Sequence, residues 1–144
     1  MKLKQSILFT FTLTFLALTS SFVLAQEQEE EGHVFTIATY KIKYDQVDKY
    51  LDLLKEFSHP RHEQNEFLIS RKVFTHLWGP DWNIVVIQEF ENLASIDKFT
   101  KRSQELRKKM HPDKTERDKI VTQFRELRLA HTDAIVTEVP KLRK

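Results

Sequence analysis

Three histidines, a pair of tryptophans and a tyrosine are the residues of this sequence whose types and spacing could do chemistry. His59, His62 and Glu63 stand in the run H-P-R-H-E. On a helix, positions i, i+3 and i+4 share a face, so two imidazoles and a carboxylate there could grip a metal ion. Pro60 falls inside that run, and the H-E-x-x-H spacing of zinc proteases is absent. The alternative is a helix C-terminus whose histidines meet the last free carbonyls. His76 lies between Phe74 and Trp78 at strand spacing. An imidazole in such a setting is suited to general acid or base work near neutral pH. The competing reading is a hydrogen-bonded histidine in a subunit interface. Trp78 and Trp82 could stack on a flat organic ligand, Gln88 could orient it, and Tyr40 could donate a proton to it. Each of them could equally serve packing alone.

No nucleophilic triad, phosphate-binding loop or dinucleotide fingerprint is present, and the chain has only two glycines to build one from. No cofactor is expected.

The elements that must position these residues centre on Phe67 to Glu91, which reads as two strands around a turn at Gly79-Pro80-Asp81. If Trp78 and Trp82 flank that turn as partners, one face carries Leu68, Ser70, Lys72, Phe74, His76 and Trp78. Trp82, Ile84, Val86, Gln88 and Phe90 join them on it. The opposite face carries Ile69, Arg71, Val73, Thr75 and Leu77 with Asn83, Val85, Ile87 and Glu89, and Arg71 then faces Glu89. The second face is mostly aliphatic and suits helices. The first, with aromatic rings beside His76 and Gln88, suits a cavity or a partner subunit.

His33 to Lys43 alternates as a strand, with Val34, Thr36, Ala38, Tyr40 and Ile42 on one side. Asp45 can open a helix with an apolar stripe at Val47, Tyr50, Leu51, Leu54 and Phe57, which Pro60 interrupts or ends. After the hairpin, Asn92 caps a second helix that His111-Pro112 breaks. Asp113, with Glu116 three residues on, restarts a third helix running to about Ala130. Asp133 to Val139 is a last strand. The Lys/Arg-rich stretches 101–109 and 125–128 are interleaved with Glu105 and Glu126 and read as solvated helix faces.

The order is β-α-β-β-α-α-β, an α+β, ferredoxin-like split βαβ plan with a four-stranded antiparallel sheet. A single copy covers only one side of that sheet, so two copies are expected to pair through the other, as a homodimer.

Residues 1–25 are expected to be a signal peptide: Lys2 and Lys4, an apolar run from Ile7 to Leu18, then Val23-Leu24-Ala25 for cleavage. Residues 26–32 form an acidic lead-in, 33–140 the domain and 141–144 a basic tail. Cleavage would remove 25 of the 144 residues and both leader lysines, taking the formal charge from +2 to about 0. A near-neutral chain is a poor partner for nucleic acid. The absence of cysteine excludes a lipid anchor at the cleavage site. The mature chain is then expected to be exported, periplasmic or secreted from a bacterium, with no stable membrane anchor.

The strand FTIATYKIKYDQVDKYLDLL, the strand IVVIQEFEN and the helix start LASIDKF give the chain a likeness to a known group. It resembles the dimeric α/β-barrel superfamily, the antibiotic-biosynthesis-monooxygenase-like and stress-responsive barrel domains, over most of residues 33–139. The resemblance implies two ferredoxin-like subunits paired sheet to sheet, with a pocket in each. It also implies a cofactor-free monooxygenase or isomerase acting on a small apolar or aromatic molecule. A non-catalytic interaction module and a histidine-based metal binder are the alternatives. The haem-degrading branch of the group uses an Asn, a Trp and a His, and no Asn stands in the first strand here.

Overall fold

The computed structural model describes residues 32–78 and 82–144. The leader, most of the acidic lead-in and the turn residues Gly79, Pro80 and Asp81 lie outside the described residues. Four strands, β1 (Val34–Ile42), β2 (Ser70–Thr75), β3 (Ile84–Phe90) and β4 (Arg128–Thr137), form one antiparallel sheet in the order β2-β3-β1-β4. Helices α1 (Val47–Leu53), α2 (His59–Glu63), α3 (Leu93–Met110) and α4 (Lys114–Leu127) complete the α+β plan expected from the sequence. No helix among the described residues is long and apolar enough to cross a membrane.

The core lies on one side of the sheet. Ile42, Ile84 and Val86 from the strands meet Tyr50, Leu53, Leu54 and Leu127 from the helices. Phe90 reaches Phe99 of α3 edge to face at 5.2 Å, a favoured aromatic geometry. Alternation along β1 is as the sequence indicates, with Ala38 and Tyr40 packed on this core and Phe35, Ile37 and Thr39 on the reverse.

The hairpin departs from expectation by one residue. Arg71 pairs with Gln88 and Ser70 with Glu89, so Arg71 does not face Glu89. A one-residue slip moves every side chain of one strand to the other face. Phe74 and Lys72 therefore share a face with Val85, Ile87 and Glu89, away from the helices, while Arg71 and Val73 join Val86 and Gln88 on the core side. The cause is the length of the connection. His76 N–H donates to the Asn83 carbonyl at 3.0 Å, so the strands part at 76 and 83 and the tryptophans are not partners. Asn83 locks this end: its side chain accepts from Ile42 N–H at 2.9 Å and donates to the Ile42 carbonyl at 2.6 Å.

Pro60 does not end the first helix. One wide π-helical turn, Leu54–Ser58, precedes it, and the helix resumes through His59–Glu63. Proline cannot donate to the carbonyl one turn back and its ring crowds it, which the altered turn accommodates. Asn92 caps α3, its Oδ1 accepting from Ser95 N–H at 3.0 Å. Asp113 caps α4 through Thr115 N–H at 2.9 Å. Glu116 turns instead to His111 Nδ1 at 2.8 Å, so the reciprocal capping bond is not made. α4 stops at Leu127, and β4 begins at once with Arg128, five residues before the expected start.

Candidate functional site

Between the sheet and the helices lies a cavity of about 590 Å³, within the range of pockets that hold small organic molecules. Its floor is Ala38 and Tyr40 of β1, Arg71 of β2 and Val86 and Gln88 of β3. The π-helical turn and α2 bring Phe57, Ser58, Arg61 and His62 to it, and α4 contributes Ile120, Val121, Phe124 and Arg125. The slipped hairpin register is what places Arg71 and Gln88 side by side on this floor.

The wall is strongly basic. Arg61, Arg71, Arg107, Arg117, Arg125 and Arg128 all line the cavity, and none of the described lining residues is acidic. The stretches 101–109 and 125–128 are largely solvated, as expected: Arg107 and Arg125 stay exposed at the rim of the cavity, and only Arg128 is half-buried. Two of the six arginines have structural duties. Arg117 donates to the carbonyls of His111 and Pro112 at 2.6 and 2.7 Å. Arg128 donates to the Tyr50 hydroxyl at 3.0 Å and lies over the rings of Tyr40, Tyr50 and Phe124 at 5.0 to 5.7 Å, as cations favour aromatic faces.

Arg61 and Arg71 have no such partners. The Nε of each is buried without a hydrogen-bond acceptor, and so is Nε2 of Gln88. Thr36 Oγ1 donates to Gln88 Oε1 at 3.3 Å, which engages the carbonyl end of that amide and leaves its nitrogen as the free end. Burial, with the charges of Arg107 and Arg71, lowers the Arg61 pKa to about 10. Burial also lowers that of Arg71, which the Tyr40 and Tyr50 hydroxyls partly oppose. Both remain cations at neutral pH.

His62 is held neutral, its pKa lowered to about 3 by burial and then by Arg71, Arg61 and His59. Its ring stacks on Phe99 with centroids 5.5 Å apart. Tyr40 stays protonated, since burial raises its pKa. Burial likewise carries Tyr50 to about 12. The site offers cationic and neutral donors, flat aromatic walls and no built-in anion.

The residues singled out in the sequence divide between this cavity and the surface. Tyr40, Gln88 and His62 line it. Phe74, His76 and Trp78 do not: Phe74 belongs to the opposite face and is 47 % exposed, Trp78 is 96 % exposed, and His76 lies past the end of β2 in solvent. The strand expected to line a pocket with these three does not do so in a single protomer. Phe74 keeps the side expected to meet a partner, whereas Ile84, Val86, Gln88 and Phe90, expected beside it, lie under the helices in place of Val85 and Ile87. Trp82 is half-buried and lies outside the cavity. The expected metal set is separated too. His59 Nε2 meets Glu63 Oε1 at 3.2 Å in solvent, whereas His62 turns inward among arginines. No group of three or more potential metal ligands converges among the described residues. Sequence reading missed Arg61, Arg71, Phe57 and Phe124. The signal is partial: Arg71 stands between Ile69 and Val73 at strand spacing, but the expected pairing gives it Glu89 as a partner.

No family model matches the sequence, and no curated protein matches it. Solved structures do resemble it. A NIPSNAP family protein from Agrobacterium tumefaciens aligns with a TM-score of 0.55 at 16 % identity, over 78 % of this chain and 91 % of that one. A protein described as dimeric and ferredoxin-like, from an uncultured marine organism, gives 0.59 at 11 % identity over 76 % and 90 %. An antibiotic biosynthesis monooxygenase gives 0.51 at 20 % identity over 74 % and 97 %. At these identities the likeness is one of fold.

Proposed function

From the fold of the dimeric α/β-barrel superfamily, which this chain shares, we infer a small-molecule-binding protein whose site is the cavity between the sheet and the helices. The observation that carries this reading is the pocket itself: a partly open space of about 590 Å³ with aromatic and aliphatic walls and buried donors left unused. A protein interior ordinarily closes over such a space and satisfies such groups. Tyr40 and Tyr50 retain their protons at neutral pH, so a bound molecule would meet hydroxyl donors as well as rings. This supports binding first; proton transfer from Tyr40 is the step these residues could add if the bound molecule reacts.

The working unit in this reading is a homodimer. The sheet face opposite the cavity carries Phe35, Ile37, Val85, Ile87 and Phe74, with none of the described helices over it. An apolar face of that kind calls for a cover, and a second copy of the same face is self-complementary. The leader at residues 1–25 supports export of the domain, with Gln26 the first residue expected on sequencing the mature protein from a bacterial periplasm or culture medium.

The test is titration with 2-naphthol, a neutral fluorescent ring compound, against the parent protein and Ala38→Phe, which fills the cavity from its sheet wall. One saturable site per protomer, lost in Ala38→Phe while circular dichroism is unchanged, is the expected result. Equal binding by the two proteins, or none by the parent, would overturn the reading.

A further inference from the structure

Resting on the cavity's being a ligand site, we propose that its natural occupant is an organic acid. Arg61, Arg71 and the Gln88 amide hold the carboxylate, and Tyr40, Phe57 and Phe124 enclose the apolar body. The inference begins with the three unmatched nitrogens. Arg61 Nε, Arg71 Nε and Gln88 Nε2 are all buried, all donors, and all on the lining of one cavity. A carboxylate presents two oxygens with about four lone-pair sites and no donor of its own, which complements a set composed only of donors. Planar guanidinium groups are shaped for that partner.

The charge balance points the same way. Buried arginines in folded proteins are ordinarily paired, because an isolated ion loses its hydration without compensation. Here Arg61 lies within range of the positive charges of Arg71 and Arg107, and no described lining residue supplies an anion. The other inward arginines with assigned partners, Arg117 and Arg128, show how this chain engages such groups when they are purely structural: through carbonyls, a hydroxyl and ring faces. Arg61 and Arg71 are left out of that arrangement. His62 beside them is neutral and adds no competing charge. A free inorganic anion would answer the charge but leave the aromatic and aliphatic part of the cavity unfilled, so a carboxylate attached to a ring or chain satisfies both halves of the lining.

The experiment compares 2-naphthoate with its neutral isostere 2-naphthamide by calorimetric titration of the parent protein, Arg61→Gln and Arg71→Gln. The parent is expected to bind the acid at least about tenfold more tightly than the amide, as charge-assisted hydrogen bonds imply. Each variant should bring the acid to about the level of the amide and leave amide binding within about twofold, which also certifies that the variant is folded. Equal binding of acid and amide by the parent, or a preference that survives both substitutions, would overturn the assignment of an acid while leaving the ligand site standing. Failure of the parent to bind either compound would overturn the ligand site and this inference together.

Discussion

Arg71 on β2 and Gln88 on β3 are direct cross-strand partners, and each brings to the cavity a buried side-chain nitrogen that meets no acceptor. Arg71 would not be there in a hairpin shifted by one residue, since it would then turn to the reverse of the sheet. The register of β2 on β3 is thus what creates a donor-rich floor beneath the helices. It is closed at its far end by His76 N–H, which donates to the Asn83 carbonyl at 3.0 Å.

The reverse of the sheet yields the first prediction. Ile37 and Ile87 are paired at the middle of the uncovered face. Ile87→Lys should leave secondary structure intact and convert a dimer to a monomer, because two buried, unpaired ammonium groups would face each other across the interface. Sedimentation equilibrium measures this. A parent protein that is monomeric, or a lysine variant that remains dimeric, would contradict pairing through this face.

The buried imidazole of His62 yields a prediction about acid. The ordinary pKa of the ring is 6.5, and burial lowers it to about 3 in the folded chain. Between those values the unfolded chain binds a proton that the folded chain refuses, so stability falls as pH drops from about 6.5 toward 3 and is unaffected by this group above that window. The slope approaches about 1.4 kcal/mol per pH unit from this residue in mid-window. His62→Gln should flatten that part of the stability curve in urea unfolding between pH 6.5 and 4.5. An unchanged slope would mean that the ring is hydrated.

Sequence alone conveyed the architecture well. Strand alternation in 33–43, the apolar stripe of Val47, Tyr50, Leu51 and Leu54, and the caps at Asn92 and Asp113 are local signals, and the observed elements follow them. The site was less legible because it depends on long-range facts. A Gly-Pro-Asp turn between two tryptophans invites a short connection, and only the hydrogen bond of His76 to Asn83 reveals the longer one. That difference of one residue parts Phe74 from Gln88 and puts Arg71 beside Gln88 instead. Pro60 likewise suggested a helix end, and the π-helical turn that carries the chain past it brings Arg61 and His62 inward. Tyr40 and Gln88 were recognised because their faces are set by strands with a local pattern.

Tyr50 and Arg128 provide a third prediction. They are 78 residues apart in sequence, and the Arg128 Nε donates to the Tyr50 hydroxyl at 3.0 Å, tying the end of α4 to α1. Tyr50→Phe keeps the ring and removes the acceptor, so stability should fall by about 1–2 kcal/mol. In a domain of this size that corresponds to a lowering of Tm on the order of 5 °C. A Tm unchanged within a degree would show that the ring stack on Arg128 suffices without the bond.

The claim on which the rest depends is that a ligand enters between sheet and helices and not against the uncovered face. Chemical-shift mapping of the ¹⁵N-labelled protein during titration with 2-naphthoate tests it most directly. The account predicts that perturbations gather at Tyr40, Arg61, Arg71, Gln88 and Phe124, with the arginine Nε–H signals moving furthest. Perturbations gathered instead at Phe35, Phe74, Ile87 and Val136 would place the ligand on the other side of the sheet and contradict it.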